Sequence, residues 1–284
     1  MSSRCLEMLG LGLALLATQA GAADAADAAG AAGAADHERV LRVCADPDNL
    51  PYSSQDLSGF ENRIAAIVAD ALHARVQYDW LPQRRGYVRK TMGQGLCDVF
   101  IGVPAGFERV LTTRPYYRSS YVFLWRHGED APRSFADPRI TQRPVGVQLV
   151  GNDLAATPPG HALARAGAVA NVVGYTVFGQ GPAAQRMTDA LAAGEIDSAL
   201  LWGPQAGYFA RRAARPIDMA LAQPPAGLAA PFEFAIAMGV ARGNQALRDE
   251  LNEALTQRRA EIDAVLAEYA VPRTDTGADR ETAP

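Results

Sequence analysis

The side chains of this chain that are best suited to chemistry are arginines and aromatic rings beside predicted strands. Arg84 and Arg85 follow one strand, and a guanidinium group can bind a carboxylate through paired hydrogen bonds. Tyr117 precedes another strand and Trp202 ends a third, so either ring could stack on a ligand. A solvated loop for the arginines and ordinary packing for the rings are the alternatives. These residue types indicate ligand binding.

Recognisable catalytic motifs are absent from the sequence. It contains no G-x-S-x-G, H-E-x-x-H or C-x-x-C motif and no dinucleotide-binding glycine pattern, and its four histidines are scattered. In a cleft enzyme, Glu61 or Glu108 would be the candidate acid, and its pKa would have to be raised. Helix capping or loop solvation is the simpler explanation for each glutamate. We therefore predict a protein that is not an enzyme and holds no cofactor.

The run Asp46-Pro47-Asp48-Asn49 offers clustered oxygen atoms that could bind a metal ion. It lacks the glycine and the closing glutamate that a calcium-binding loop places at fixed offsets. We therefore predict no metal site.

The elements that must position these residues follow an alternating pattern in the first part of the chain. The predicted order is strand, helix, strand, helix, strand: Val40 to Ala45, a helix after Gly59, Val76 to Leu81, Gly86 to Gln94 and Asp98 to Val103. This pattern is typical of a parallel sheet with helical crossovers, which binds ligands at the carboxyl ends of its strands. Asp46, Gly102 and Pro104 lie at those ends, and Tyr52 lies in the loop after the first strand. All four are predicted ligand-binding residues.

A second α/β unit follows Pro132. Its predicted elements are Pro144 to Val150, Pro182 to Ala193, Ile196 to Trp202 and Gly203 to Ala213. Pro231 to Ala241 is then predicted as a strand, and Asn244 to Tyr269 as one or two helices that return to the first unit. Two lobes joined by two crossovers leave a cleft between them, and hinge closure is the motion that such architectures support.

The chain is predicted to be exported. Arg4, the apolar run after it and the small residues Ala20 to Ala22 are typical of a signal peptide. The apolar run is shorter than the roughly 20 residues of a membrane-spanning helix, so no membrane span is expected. The predicted divisions are 1–22 signal peptide, 23–36 disordered Ala/Gly-rich spacer, 37–125 first lobe, 126–230 second lobe, 231–273 return to the first lobe and 274–284 disordered tail. We expect the mature protein in the periplasm.

Composition narrows the class of partner. The chain has 284 residues, 49% of them hydrophobic, and a formal net charge of -4. Such a chain can bury one large core or two medium ones, but it has no basic field to hold nucleic acid or an anionic membrane surface. A small molecule or another protein is the expected partner.

Two cysteines remain if the predicted signal peptide is removed. Cys44 ends one predicted strand and Cys97 precedes another. An even pair in an exported protein is compatible with a disulfide, provided that the two Cα atoms lie within about 7 Å. Two buried thiols are the alternative.

The order of these segments resembles the family 3 extracellular solute-binding proteins of ABC importers, from about Leu41 to Pro272. A narrower resemblance is to the MxaJ/XoxJ proteins associated with periplasmic quinoprotein methanol dehydrogenases. It rests on six separated segments that occur in order, namely CADPDNLPYS, GFENRIA, WLPQRRGYVR, GVPAGFERVLTTRPYYRSSYVF, VQLVGND and ALLWGPQAGYFA. The resemblance implies an α/β, two-lobe, type II periplasmic-binding-protein-like fold with two hinge crossovers and a central cleft.

The family pattern also implies where a ligand would be held. Arg109 falls where amino-acid binders place the arginine that pairs with the ligand carboxylate. Trp202 stands near the position of the aspartate that accepts the ligand ammonium. Asn152 and Asp153 are predicted ligand-binding residues, although their loop lacks the expected Gly-Thr/Ser turn. An ordinary amino acid is therefore not the expected ligand, because its buried ammonium would lack a carboxylate partner.

Three functions follow from this resemblance and these departures from it. The first is an accessory protein of a pyrroloquinoline-quinone alcohol (methanol) dehydrogenase, which binds the dehydrogenase during maturation or carries a small compound for it. The second is the receptor of an ABC importer for a small anionic solute, with an ABC permease as partner. The third, a dehydratase-like cleft enzyme, is the least favoured.

Overall fold

The computed structural model describes residues 39–150, 155–177 and 181–274. The predicted signal peptide and spacer, most of the predicted tail, and the predicted site residues Asn152 and Asp153 lie outside these ranges. Within them, no helix combines the length and the apolar composition that a bilayer crossing requires.

Among the described residues, seven strands lie in the first half of the sequence, and the last of them is the longest. They are β1 (Arg39–Ala45), β2 (Asp48–Asn49), β3 (Ser53–Ser54), β4 (Ala74–Trp80), β5 (Val99–Pro104), β6 (Leu111–Thr112) and β7 (Tyr117–Arg126). The later strands are β8 (Val145–Val150), β9 (Ala155–Ala156), β10 (Val172–Thr176), β11 (Ser198–Trp202), β12 (Ile217–Leu221) and β13 (Glu233–Val240).

The helices cover the sheet and vary in length from one turn to almost four turns. They are α1 (Phe60–Ala71), α2 (Tyr87–Lys90), α3 (Pro138–Thr141), α4 (Pro158–Arg165), α5 (Ala183–Ala193), α6 (Gly203–Ala210), α7 (Gln245–Gln257) and α8 (Arg259–Glu268).

One sheet runs through the described part of the chain in the order β10-β8-β11-β7-β13-β5-β1-β4. We call the end of the sheet that contains β1 its first half and the end that contains β8 its second half. In the first half, β1 pairs in parallel with β4 and β5, whereas β13 is antiparallel to β5 and β7. In the second half, β8 pairs in parallel with β10 and β11. Strand β7 belongs to both halves, because its beginning pairs with β13 and its later residues pair with β11. The predicted α/β class is confirmed.

Amphipathic helices explain how the first half is built. Phe60, Ile64 and Val68 recur along α1 at helical spacing, and none of them is exposed to solvent. At the other end of the chain, α7 and α8 place Leu251 and Ile262 in the same core, and both helices pack on α1. The last two helices thus pack on the first helix, whereas the predicted division into lobes stays a prediction.

The later residues of β1 are tied to the start of β5 by two links. The structure joins Cys44 and Cys97 in a disulfide, with a Cα–Cα separation of 5.4 Å. Beside it, the Asp98 carboxylate accepts hydrogen bonds from the Arg42 backbone N–H at 3.0 Å and from its guanidinium at 2.6 Å. These links fix the two strands against each other, and both cysteines belong to the same buried cluster as Tyr87 and Phe100.

The structure differs from the sequence prediction at two elements near the site. The strand that Tyr117 was predicted to precede begins at Tyr117 itself, so this tyrosine belongs to β7 and is buried. The helix predicted from Gly86 to Gln94 is divided at Thr91, whose φ of -109° and ψ of -92° are not helical, into α2 and a single 3-10 turn, Met92–Gln94, which the left-handed Gly95 ends.

Candidate functional site

A cavity of about 650 Å³ lies at the carboxyl end of β5. Its described lining residues are Gln83, Arg84, Arg85, Gly86, Tyr87, Val88, Arg89, Lys90, Phe100, Gly102, Val103, Pro104, Phe107 and Arg109. Five of the predicted site residues are therefore brought together here: Arg84, Arg85, Gly102, Pro104 and Arg109. The carboxyl end of a strand is where the alternating pattern predicted a ligand.

The segment between β4 and β5 forms one wall of this cavity. Gly86 has a φ of 85°, a left-handed conformation that glycine adopts without steric cost. The turn at Gly86 leads directly into α2, and Tyr87 anchors that helix in a small buried cluster with Phe100 and Met92. The other residues of α2 are then free to face the cavity and solvent.

The cavity is lined by cations. Arg84, Arg85, Arg89, Lys90 and Arg109 all contribute to its wall, and no carboxylate does so in the part of the chain described. All five side chains are exposed. Because arginine stays protonated at any physiological pH, this wall is positively charged in a protein whose formal net charge is -4. The arrangement favours an anionic ligand.

Asp46 lies in a small neighbouring cavity of about 20 Å³ rather than in the wall of the large one. One of its carboxylate oxygens accepts a hydrogen bond from the Gln83 backbone N–H at 2.6 Å, and the other accepts from Asp48 N–H at 3.0 Å. These bonds hold the loop after β4 against the end of β1. Among the residues that the structure covers, no three metal-binding side chains form a group.

Glu61 reaches the same small cavity from the first turn of α1. Its Oε1 lies where a side chain on Gly102 would begin, only 2.0 Å from a Cβ placed there. Burial raises the pKa of the Glu61 carboxyl to about 8, since removal from water disfavours the charged form. The raised pKa meets one requirement for a catalytic acid, but a 20 Å³ cavity has room only for about one water molecule. Glu108 is exposed.

Tyr52 and Tyr117 surround Glu61 instead of lining the large cavity. Tyr117 is 2% exposed, and Phe60 lies against both rings, with centroids 5.4 Å from Tyr52 and 6.3 Å from Tyr117. Burial raises the pKa of both phenols, and the nearby Glu61 adds to the effect. Neither hydroxyl donates a hydrogen bond within the described ranges. Tyr117 belongs to the main hydrophobic core, and Tyr52 packs against it.

Trp202 lies at the end of β11, beside β7 and β13. Its ring packs edge-on against Tyr121 at 5.4 Å and against Phe234 at 5.5 Å. It is not among the described residues of the large cavity. A role for Trp202, Tyr52 or Tyr117 in holding a ligand therefore stays a prediction.

Sequence reasoning missed three residues of the large cavity that are suited to binding, namely Arg89, Lys90 and Phe107. The signal was present for the first two, because the run Arg84 to Lys90 contains four cations in seven residues. A helical stretch with exposed cations is usually only a solvated face, and nothing in the sequence showed that this one borders a cavity.

Comparisons with known proteins show the family of the chain. Residues 41–271 match the model of the family described as bacterial extracellular solute-binding proteins, family 3. Protein MoxJ of Methylorubrum extorquens AM1 is 35% identical over 250 residues, which are 82% of this chain and 81% of that protein.

Two solved structures extend the comparison. The periplasmic binding protein XoxJ from Methylobacterium extorquens AM1 is 38% identical, with a TM-score of 0.68 over 82% of this chain and 98% of that chain. MxaJ from Methlophaga aminisulfidivorans MPT is 25% identical, with a TM-score of 0.72 over 82% of this chain and 99% of that chain. The predicted two-lobe, type II binding-protein fold is thereby confirmed.

Proposed function

Because this chain belongs to the bacterial extracellular solute-binding proteins, family 3, we propose that it is a periplasmic binding protein of methanol oxidation. In this proposal it serves a quinoprotein alcohol dehydrogenase, either by binding the dehydrogenase during maturation or by carrying a compound for it. The similarity to MoxJ, XoxJ and MxaJ supports this choice over other members of the family.

The observation that carries the proposal is the one-sided wall of the large cavity. All of its described lining residues fall between Gln83 and Arg109, in β5 and in the segments directly before and after it. A small solute that drives hinge closure must contact both lobes. A charged wall built from one lobe and open to solvent is better suited to a protruding group of a larger partner.

A second candidate is the receptor of an ABC importer for a small anionic solute. The volume of about 650 Å³ favours it, since small-molecule sites usually occupy about 300 to 1,000 Å³. The enzyme hypothesis gains no comparable support, because the space beside Glu61 is too small for a substrate.

The test is a binding experiment with two kinds of partner. The purified protein is mixed with the metal-free quinoprotein dehydrogenase and examined by size-exclusion chromatography with light scattering. Its thermal unfolding is also followed with a panel of small periplasmic solutes, each added separately. We expect a complex with the dehydrogenase and a higher unfolding temperature in its presence. A partner at about a hundred times its dissociation constant adds about 2.7 kcal/mol to the free energy of unfolding.

An unrelated periplasmic protein of similar size and net charge is the control, and it should form no complex. A shift with one small solute and no complex would favour the importer receptor. If neither the dehydrogenase nor any solute binds, the proposal is wrong.

A further inference from the structure

The cations of the large cavity come from two segments of the chain. Arg84 and Arg85 lie in the loop that leads directly into Arg89 and Lys90 of α2, whereas Arg109 lies in the turn after β5. A disulfide and the hydrogen bonds of Asp46 fix these segments relative to each other. The cations are thus held on a defined surface instead of being spread along one mobile loop.

Four of these cations have no interaction partner among the described side chains. In the part of the chain that the structure covers, the side chains of Arg85, Arg89, Lys90 and Arg109 form no ion pair and no hydrogen bond. Elsewhere, exposed arginines often find a carboxylate, as Arg63 does with Glu268 and Arg42 with Asp98. Clustered cations repel one another unless an anion lies between them.

The cavity also has an apolar back wall. Tyr87, Phe100 and Val103 line it and are at least nine-tenths buried, and Phe107 packs against them. A ligand that fits must therefore carry its charges on one side and an apolar or aromatic body on the other. A simple inorganic anion would leave this wall in contact with water.

We propose that the cavity binds a group with two or more carboxylates on an apolar body, and that Arg85, Arg89, Lys90 and Arg109 are the binding residues. This inference rests on the proposed function as a binding protein, and it assigns the two cations of α2 to the site. The carboxylates belong either to a small polycarboxylate or to an acidic segment of a partner protein.

Isothermal titration calorimetry with defined probes tests the inference. The probes are benzene-1,3,5-tricarboxylate, with the tricarboxamide as its uncharged control, and a glutamate–phenylalanine peptide, with the glutamine–phenylalanine peptide as its control. Inorganic triphosphate is the polyanion without an apolar body. We expect at least one carboxylate probe to bind, both uncharged controls to fail, and triphosphate to bind more weakly. Binding should also weaken as salt is raised, because exposed charges are screened.

The variant Arg89→Gln/Lys90→Gln should bind the carboxylate probe about a hundredfold more weakly, or about tenfold for each lost charged hydrogen bond. Arg242→Gln is the matched control, because Arg242 is an exposed arginine in the turn after β13. The neighbouring Val240 pairs with Val99, at the end of β5 opposite to the cavity. This variant should bind like the unchanged protein.

The inference is overturned if no carboxylate probe binds, if the α2 variant binds as tightly as the unchanged protein, or if triphosphate binds more tightly than both carboxylate probes. Tighter binding of the peptide would identify a protein segment as the source of the carboxylates, and tighter binding of the tricarboxylate would identify a free compound. If no carboxylate probe binds but a dehydrogenase complex forms and persists in the α2 variant, the proposed function is retained and this inference alone is rejected.

Discussion

At the scale of single residues, Glu61 has the most unusual environment near the site. Its carboxyl lies against Gly102, and burial raises its pKa from 4.5 to about 8. The unfolded chain releases this proton near the lower value, whereas the folded chain keeps it up to the higher one. Between these values the folded state binds more protons, so the free energy of unfolding falls as pH rises.

We predict that Glu61→Gln removes this pH dependence, because glutamine has nearly the same shape and cannot ionise. Relative to the unchanged protein, the variant should gain stability between about pH 5 and about pH 8, by at most about 1.4 kcal/mol per pH unit. Urea unfolding at several pH values measures the difference. Glu108→Gln, at an exposed position, is the control. Parallel stability curves for Glu61→Gln and the unchanged protein would show that Glu61 ionises normally.

Sequence reasoning named three of the arginines that line the large cavity, and their role in binding stays a prediction. Arg84, Arg85 and Arg109 were predicted from their residue type, their position after strands or their resemblance to a family pattern, and all three line the cavity. Arg89 and Lys90 were missed because residue type does not reveal which side of a short helix faces a cavity. The environment of Glu61 was also hidden, since its burial depends on Gly102, which is distant in sequence.

At the scale of elements, α6 packs closely on the last described residues of the chain. A Cβ on Gly207 would lie 1.8 Å from the carbonyl oxygen of Ala270. The Ser119 hydroxyl of β7 donates a hydrogen bond to the Pro272 carbonyl at 2.6 Å. The end of the chain therefore links a helix of the second half to a strand shared by both halves.

Gly207→Ala should destabilise the protein by about 1 to 3 kcal/mol, because the added methyl group overlaps backbone that cannot move freely. If the contact were loose, the same change would stabilise α6 by up to about 1 kcal/mol, since alanine favours helices over glycine. The change in the free energy of unfolding therefore has opposite signs in the two cases. Chemical unfolding distinguishes them, and Gly243→Ala, where a Cβ has open space, should change stability little.

Sequence periodicity predicted the elements with a strong apolar pattern. The stripe of α1 and the long apolar faces of α7 and α8 are buried as expected. Strands β10 and β12 were missed, because they are short and mostly half-buried or exposed, so their residues show no clear alternation. The start of β7 was missed because Tyr117, Arg118 and Ser119 resemble a polar turn.

At the scale of the whole molecule, the disulfide is the only covalent constraint besides the backbone in the described ranges. It joins cysteines 53 residues apart, and closing a loop of this length in the unfolded chain is worth about 4 kcal/mol by the chain-entropy estimate. The variant Cys44→Ala/Cys97→Ala should therefore have a free energy of unfolding that is lower by about 4 kcal/mol. Its unfolding midpoint should lie at a lower denaturant concentration. Unfolding that is the same with and without a reductant would contradict this prediction.

The loop closed by this disulfide contains Arg84, Arg85, Arg89 and Lys90. Four of the five cavity cations are therefore held within a single cross-linked ring of the chain. Protein made in a reducing compartment would have the same sequence but would lack this disulfide. Its four cations would then be less tightly constrained relative to one another. Binding experiments therefore require protein in which the disulfide between Cys44 and Cys97 has formed.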